Sequence, residues 1–152
     1  LLKAWKAEDS SFPFVDSHAK TYSVRDGSDW EQTLKPRLHA RLNASANVVL
    51  FLSSNTRYSR ALREEIDYAI NTKDLPIIVV YPELKTMDDI HTQSEFTSTV
   101  TKLWDKLPMF RNNKYKVPVL HVPNNKVLIT KALNDTDLRV STKTKAGDYY
   151  FQ

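Results

Sequence analysis

Two short unbroken apolar runs, Val48-Val49-Leu50-Phe51-Leu52 and Ile77-Ile78-Val79-Val80-Tyr81, frame the middle of the chain. Neither alternates with polar residues, as expected of parallel strands covered by helices on both faces. The stretch between them opens with Ser53, Ser54, Asn55 and Thr56 and then carries apolar positions at helical spacing. Residues 47–81 therefore read as strand, polar loop, helix, strand, a single βαβ unit. The polar residues lie just past the first strand's carboxyl end, where open α/β sheets bind ligands.

The helix of this unit holds one anomaly. At about 100° per residue, Tyr58, Ile66 and Ala69 fall within roughly 40° of Leu62 and predict a buried stripe. Glu65 falls about 60° from Leu62, at the margin of the stripe, whereas Glu64 points nearly opposite. Glu64 is placed to pair with Arg60 one turn back, as Arg63 is with Asp67. Two readings of Glu65 stay open: a marginal carboxylate that reaches water or pairs with a Lys or Arg, and a carboxylate that faces the cleft.

Ahead of this unit, Leu1, Leu2 and Trp5 at helical spacing lead to Phe12-Pro13-Phe14-Val15, a short strand ending in Asp16, Ser17 and His18. These three are expected at the same sheet edge as residues 53–56, as a second wall of one cleft, although Asp16 also suits a turn or cap. A helix that feeds a parallel strand normally follows an earlier strand. The fold is therefore expected to be incomplete at its N-terminus, with its first strand before Leu1. After a polar loop over 19–29, Leu34, Leu38 and Leu42 predict helix over 30–46, with Pro36 in a new first turn. His39, among charged neighbours, reads as a surface histidine.

Beyond Tyr81, the residues Phe96, Val100, Leu103, Trp104 and Leu107 predict an amphipathic helix that Pro108 stops. Val117-Pro118-Val119-Leu120-His121-Val122 reads as a strand, which its proline places at or near an edge. Leu128, Ile129, Ala132 and Leu133 suit a last helix opening at Asn124 or Asn125, and Tyr149-Tyr150-Phe151 a terminal strand.

Composition narrows the chemistry. The 152 residues, 41% hydrophobic and 26% charged, suffice for one domain with a sizeable core. No stretch approaches membrane-spanning length, and Leu1-Leu2-Lys3-Ala4-Trp5-Lys6 is too short and too quickly charged for a signal peptide. Cysteine is absent, which removes disulfides, thiolate metal sites and thiol catalysis and fits a cytoplasmic protein. The 22 basic and 18 acidic residues are interspersed, so the net charge of +4 marks no dedicated nucleic-acid surface. Lys143 to Lys145 reads as a solvated loop. Gly27 and Gly147 are the only glycines, which excludes a P-loop and the dinucleotide fingerprint. The four histidines, at 18, 39, 91 and 121, show no metal spacing.

The run Val48 to Thr56, followed by Ser59-Arg60-Ala61-Leu62-Arg63-Glu64-Glu65-Ile66-Asp67-Tyr68-Ala69 and by Pro76-Ile77-Ile78-Val79-Val80, resembles the TIR-like family. In that family a strand ends in a T-x-x-S loop and a helix carries an E-I-x-x-A segment. The Phe14-Val15-Asp16-Ser17-His18 strand end and Val117-Pro118-Val119 are similar to it too, and the likeness extends to the bacterial branch that includes the signal-generating protein of the Thoeris antiphage system. The resemblance implies a flavodoxin-like three-layer α/β sandwich with a mainly parallel sheet. It also implies an NAD-consuming activity, in which the nicotinamide glycosidic bond is broken and the ADP-ribose recyclised into a second messenger for a downstream effector.

The family's catalytic glutamate corresponds to Glu65. Cleavage passes through an oxocarbenium-like state, which a carboxylate stabilises by its charge and by holding the ribose hydroxyls. Ser53, Ser54, Asn55, Thr56 and Ser59, with Asp16, Ser17 and His18 opposite, are the implied substrate-binding residues; strand-end and helix-cap roles fit them equally. NAD enters as substrate, with no further cofactor or metal, and self-association into a homo-oligomer is an expected partnership. A nonenzymatic TIR-like scaffold and a glycosyl transferase like the nucleoside deoxyribosyltransferases remain the competing classes.

Overall fold

The computed structural model describes residues 29–152, so the expected first helix, the strand over 12–15 and Asp16, Ser17 and His18 lie outside the described residues. Among the described residues, four strands form one sheet in chain order: β1 (Val48–Phe51), β2 (Ile77–Tyr81), β3 (Pro118–Pro123) and β4 (Gly147–Tyr150). Every neighbouring pair is parallel, with Val48 opposite Ile77, Ile77 opposite Val119, and Val119 opposite Asp148. All five β2 residues are buried. That strand is paired on both edges and covered on both faces, which is why it tolerates no polar residue.

Alternation along the strands separates two cores. Val48, Leu50, Ile77, Val79, Tyr81 and Val119 face α1 (Lys35–Asn43), α2 (Arg60–Asp67), α3 (Ser98–Trp104) and α4 (Pro108–Asn113), which contribute Leu38, Leu42, Ile66, Val100 and Phe110. Ile78, Val80, Leu120 and Val122 face Ile129 and Ala132 of α5 (Lys126–Asn134), with Leu138 beyond it. Helices on both sides of a parallel sheet give the flavodoxin-like three-layer α/β sandwich.

Local chemistry sets the helix boundaries. A π-helical turn, Trp30–Leu34, precedes α1, and Pro36 stands in the first turn of α1, where its missing N–H costs nothing. Ser59, Thr97 and Asn125 cap α2, α3 and α5 by accepting from the backbone N–H of Leu62, Val100 and Leu128. Tyr58 thus precedes α2 and is not part of its stripe; it is 37% exposed, and its hydroxyl accepts from the Met109 N–H. A second π-helical turn, Tyr68–Thr72, prolongs α2 and carries the buried Ala69 and Ile70.

The Pro118 strand lies near an edge, as expected, though not at it: β3 stands between β2 and the terminal strand β4 of the described sheet. Pro118 is the first residue of that strand, the position where a missing donor disturbs the ladder least. The carbonyl just before it, on Val117, accepts from the Gly147 N–H. Gly147 enters β4 at φ 147°, a conformation that side-chain-bearing residues rarely adopt.

Candidate functional site

The loops past the strands' carboxyl ends are tied to one another. Within the first, the Ser53 N–H donates to the Thr56 hydroxyl at 2.9 Å and the Asn55 N–H to the Ser53 hydroxyl at 3.2 Å. The Ser54 N–H and hydroxyl donate to the two oxygens of Glu83, at 2.7 and 2.5 Å. Glu83 follows β2, and these bonds from Ser54 hold its carboxyl below the usual range. Asn124, past β3, donates to the carbonyls of Leu84 and Pro82. The edge is thus a continuous polar seam running from β1 to β3. Glu83 was absent from the expected site; its only signal in the sequence was its place two residues beyond a fully apolar run.

Glu65 lies elsewhere on the same unit. Ser59 caps the start of α2, and six residues at about 1.5 Å rise put Glu65 roughly 9 Å further along the axis. Its side chain is 4% exposed, and Arg41 of α1, at 10%, brings Nη2 to 3.0 Å from its Oε1. The angle there is not that of a hydrogen bond, and Arg41 Nε, also sealed from water, has no acceptor among the described residues. The contact is a charge pair without the two-armed fork that arginine makes with carboxylates at its best. The reading of Glu65 as the partner of a basic residue is therefore observed.

The neighbouring carboxylate differs from expectation. Glu64 pairs with His39 Nε2 at 2.8 Å instead of with Arg60, which reaches Glu31, while Asp67 accepts from Asn71 instead of pairing with Arg63. His39 is no free surface histidine: its ring stacks on Tyr68 at 3.8 Å, and the Tyr68 hydroxyl donates to Asn43. Consecutive glutamates of α2 are thus each taken by a cationic or ionisable side chain of α1. The packing of α1 beside α2 brings these partners within reach, and the single-helix geometry used for the sequence could not include it.

A second polar cluster went unseen in the sequence. Trp104 Nε1–H donates to the Tyr81 oxygen at 2.8 Å; since indole is only a donor, the Tyr81 hydroxyl proton is left for His121 Nδ1 at 2.7 Å. His121 Nε2–H then donates to Asp148 at 2.8 Å, and Lys114 donates to the other Asp148 oxygen at 2.5 Å while lying over the Trp104 ring. Burial lowers the His121 pKa against the pull of Asp148, so the ring is neutral. Burial pushes the Tyr81 phenol up. Asp148 is raised by burial but lowered further by His121 and Lys114, ending below its usual value. The cluster joins β2, β3, β4 and α3. Among the described residues, no group of three or more His, Asp or Glu side chains could hold a metal, and no helix is long and apolar enough to cross a membrane.

The central stretches on which the resemblance rested fall on β1 with its polar loop, on α2 with the π-helical turn that prolongs it, and on β2. The family model described as Thoeris protein ThsB, TIR-like domain, matches residues 1–87. The chain belongs to this family. The matched span runs past β2 and contains every expected site residue: Asp16, Ser17, His18, Ser53, Ser54, Asn55, Thr56, Ser59 and Glu65. It also contains Arg41 and Glu83. Membership in this TIR-like family points to antiphage defence signalling.

Proposed function

We propose that this TIR-like protein cleaves NAD at the nicotinamide–ribose bond and recyclises the ADP-ribose into a messenger that activates a separate effector. The observation that carries the reading is Glu65, a carboxylate buried on the helix after the polar loop, at the position that matches the family's catalytic glutamate. In the proposed reaction the glycosidic electron pair leaves with the ring nitrogen, so nicotinamide departs neutral and positive charge develops on the ribosyl carbon. Glu65 stabilises that charge and holds the ribose hydroxyls. A nucleophile on the same ADP-ribose then attacks the carbon and loses its proton, which closes the ring. Water in its place gives linear ADP-ribose.

Ser53, Ser54, Asn55, Thr56 and Ser59, at the head of α2, supply neutral hydrogen bonds further along the dinucleotide, and Asp16, Ser17 and His18 are further proposed substrate-binding residues. Glu65 has almost no solvent-accessible surface in this state. Substrate entry therefore includes a rearrangement, for which self-association is the proposed trigger. NAD is a cytoplasmic metabolite, and the proposed site of action is the cytoplasm.

The test is chromatography of NAD incubated with the full-length protein. Release of nicotinamide together with a cyclic ADP-ribose product supports the proposal. Concentration-dependent assembly with no nicotinamide release would mean a nonenzymatic scaffold. Base exchange on deoxynucleosides with NAD left intact would mean a deoxyribosyl transferase.

A further inference from the structure

Arg41, nine-tenths buried, is a cation set against the glutamate to which the reaction is ascribed, and nothing in the family resemblance assigns it a part. A buried ion pair by itself contributes little net stability, because desolvation of both charges offsets their attraction. Such pairs are favourable when the geometry is good and every donor is satisfied, and here neither holds. Nη2 meets Glu65 at 3.0 Å off the hydrogen-bond axis, and Nε has no acceptor among the described residues. Sealed donors left unmet cost stability. A pair serving stability alone would do better as two apolar side chains, like Leu38 and Leu42 on the same helix.

The rest of the α1–α2 contact makes Arg41 stand out further. His39 with Glu64 and Tyr68 with Asn43 make well-formed hydrogen bonds at 2.8 and 2.7 Å. Those bonds already fix the two helices against each other. Arg41 is therefore superfluous as a helix clamp and specific to the Glu65 carboxylate.

We infer that Arg41 is a positioning residue for Glu65: its guanidinium holds the carboxylate in one place for the ribosyl cation. This rests on the NAD-cleaving reading of the same site. Arg41 acts through Glu65 and touches no reacting atom, so its loss lowers kcat and leaves the KM for NAD nearly unchanged.

The experiment compares wild-type protein with Arg41→Gln, Arg41→Lys, Glu65→Gln and the double variant Arg41→Gln/Glu65→Gln, each with a melting curve, in nicotinamide release from NAD. Arg41→Gln is expected to lower kcat by about tenfold or more with KM within about twofold. Arg41→Lys, which keeps the charge and guards against a variant that fails to fold, is expected to recover most of that loss. In the Glu65→Gln background, Arg41→Gln is expected to lower the residual rate no further, the non-additivity of two residues acting as one unit. An unchanged or raised kcat in folded Arg41→Gln overturns the inference. So does a loss confined to KM, which would make Arg41 a substrate contact, and so do fully multiplicative losses in the double variant. Wild-type protein that releases no nicotinamide overturns the underlying reading, and the positioning role with it.

Discussion

Among the described residues, polar groups are buried in two places, and the two are built differently. Beneath β2, β3 and β4 the chain from Trp104 through Tyr81, His121 and Asp148 to Lys114 has a donor for every acceptor, and one proton arrangement satisfies all of it. Between α1 and α2, Arg41 and Glu65 share a charge contact that leaves two sealed guanidinium nitrogens without hydrogen bonds among the described residues. A satisfied network specifies a fold, because any shift breaks several bonds at once. An unsatisfied one costs stability and is retained where the site needs its charges. The first region is therefore assigned to architecture and the second to the proposed chemistry, although both were invisible to composition and net charge.

The largest effect expected on stability comes from halving the unsatisfied pair. Glu65→Gln leaves a buried guanidinium without its counter-charge, at a cost of about 3 kcal/mol measured by urea denaturation. The near-isosteric amide alone promises a smaller loss, and the difference is the contribution of Arg41. Replacing both residues with methionine removes both charges, and this double variant is expected to melt above either single variant; a double variant less stable than both would place the pair with the architecture instead.

Next in size is Tyr81→Phe, which strands the Trp104 indole and His121 Nδ1 together. The expected loss is about 1–3 kcal/mol with NAD turnover per folded molecule unchanged. Lost turnover in the folded variant would remove the division between the two regions.

The pH dependence belongs to the same region and is smaller. His121 is neutral in the fold, with its pKa below the ordinary 6.5, so the unfolded chain binds the extra proton. Its contribution is fully present above that value and is lost as pH falls from it toward the depressed folded value. Asp148, also depressed, contributes above its ordinary 3.8 and loses that contribution as pH falls through its folded value. Urea midpoints taken from about pH 7.5 down to about pH 5.5 should fall more in wild-type protein than in His121→Gln. Parallel slopes would contradict the assignment of a neutral His121.

Glu64→Gln is expected to have the smallest effect. Its pair with His39 is about a quarter exposed on each side. Its loss should cost under about 1 kcal/mol, with no change in turnover.

The contrast also marks what was legible in the sequence. The strands at 48–52 and 77–81, the capped helix between them and the turn at Pro36 were readable because each rests on local periodicity or local stereochemistry. Glu65 was readable as an anomaly because helix geometry alone puts it at the margin of the stripe. Its partner was not, because Arg41 is supplied by a different helix. His121 and Tyr81 looked like ordinary members of apolar runs, since a strand pattern cannot say which buried polar group will meet another across the sheet. Pro118 put its strand at or near an edge and β3 does lie beside the terminal strand, but the proline could not say which of the two, because the pattern did not fix that it opens β3. Glu83 required knowing that two loops, 29 residues apart, meet over the sheet's edge.

The central claim is that Glu65, unlike the glutamate before it, does the chemistry. NAD turnover by Glu65→Gln and Glu64→Gln, measured side by side in full-length protein at a temperature where melting curves show both folded, tests it most directly. The expected result is a rate lower by about a hundredfold or more for Glu65→Gln and close to wild type for Glu64→Gln. Equal rates for the two folded variants would contradict the account and leave Glu65 a structural partner of Arg41.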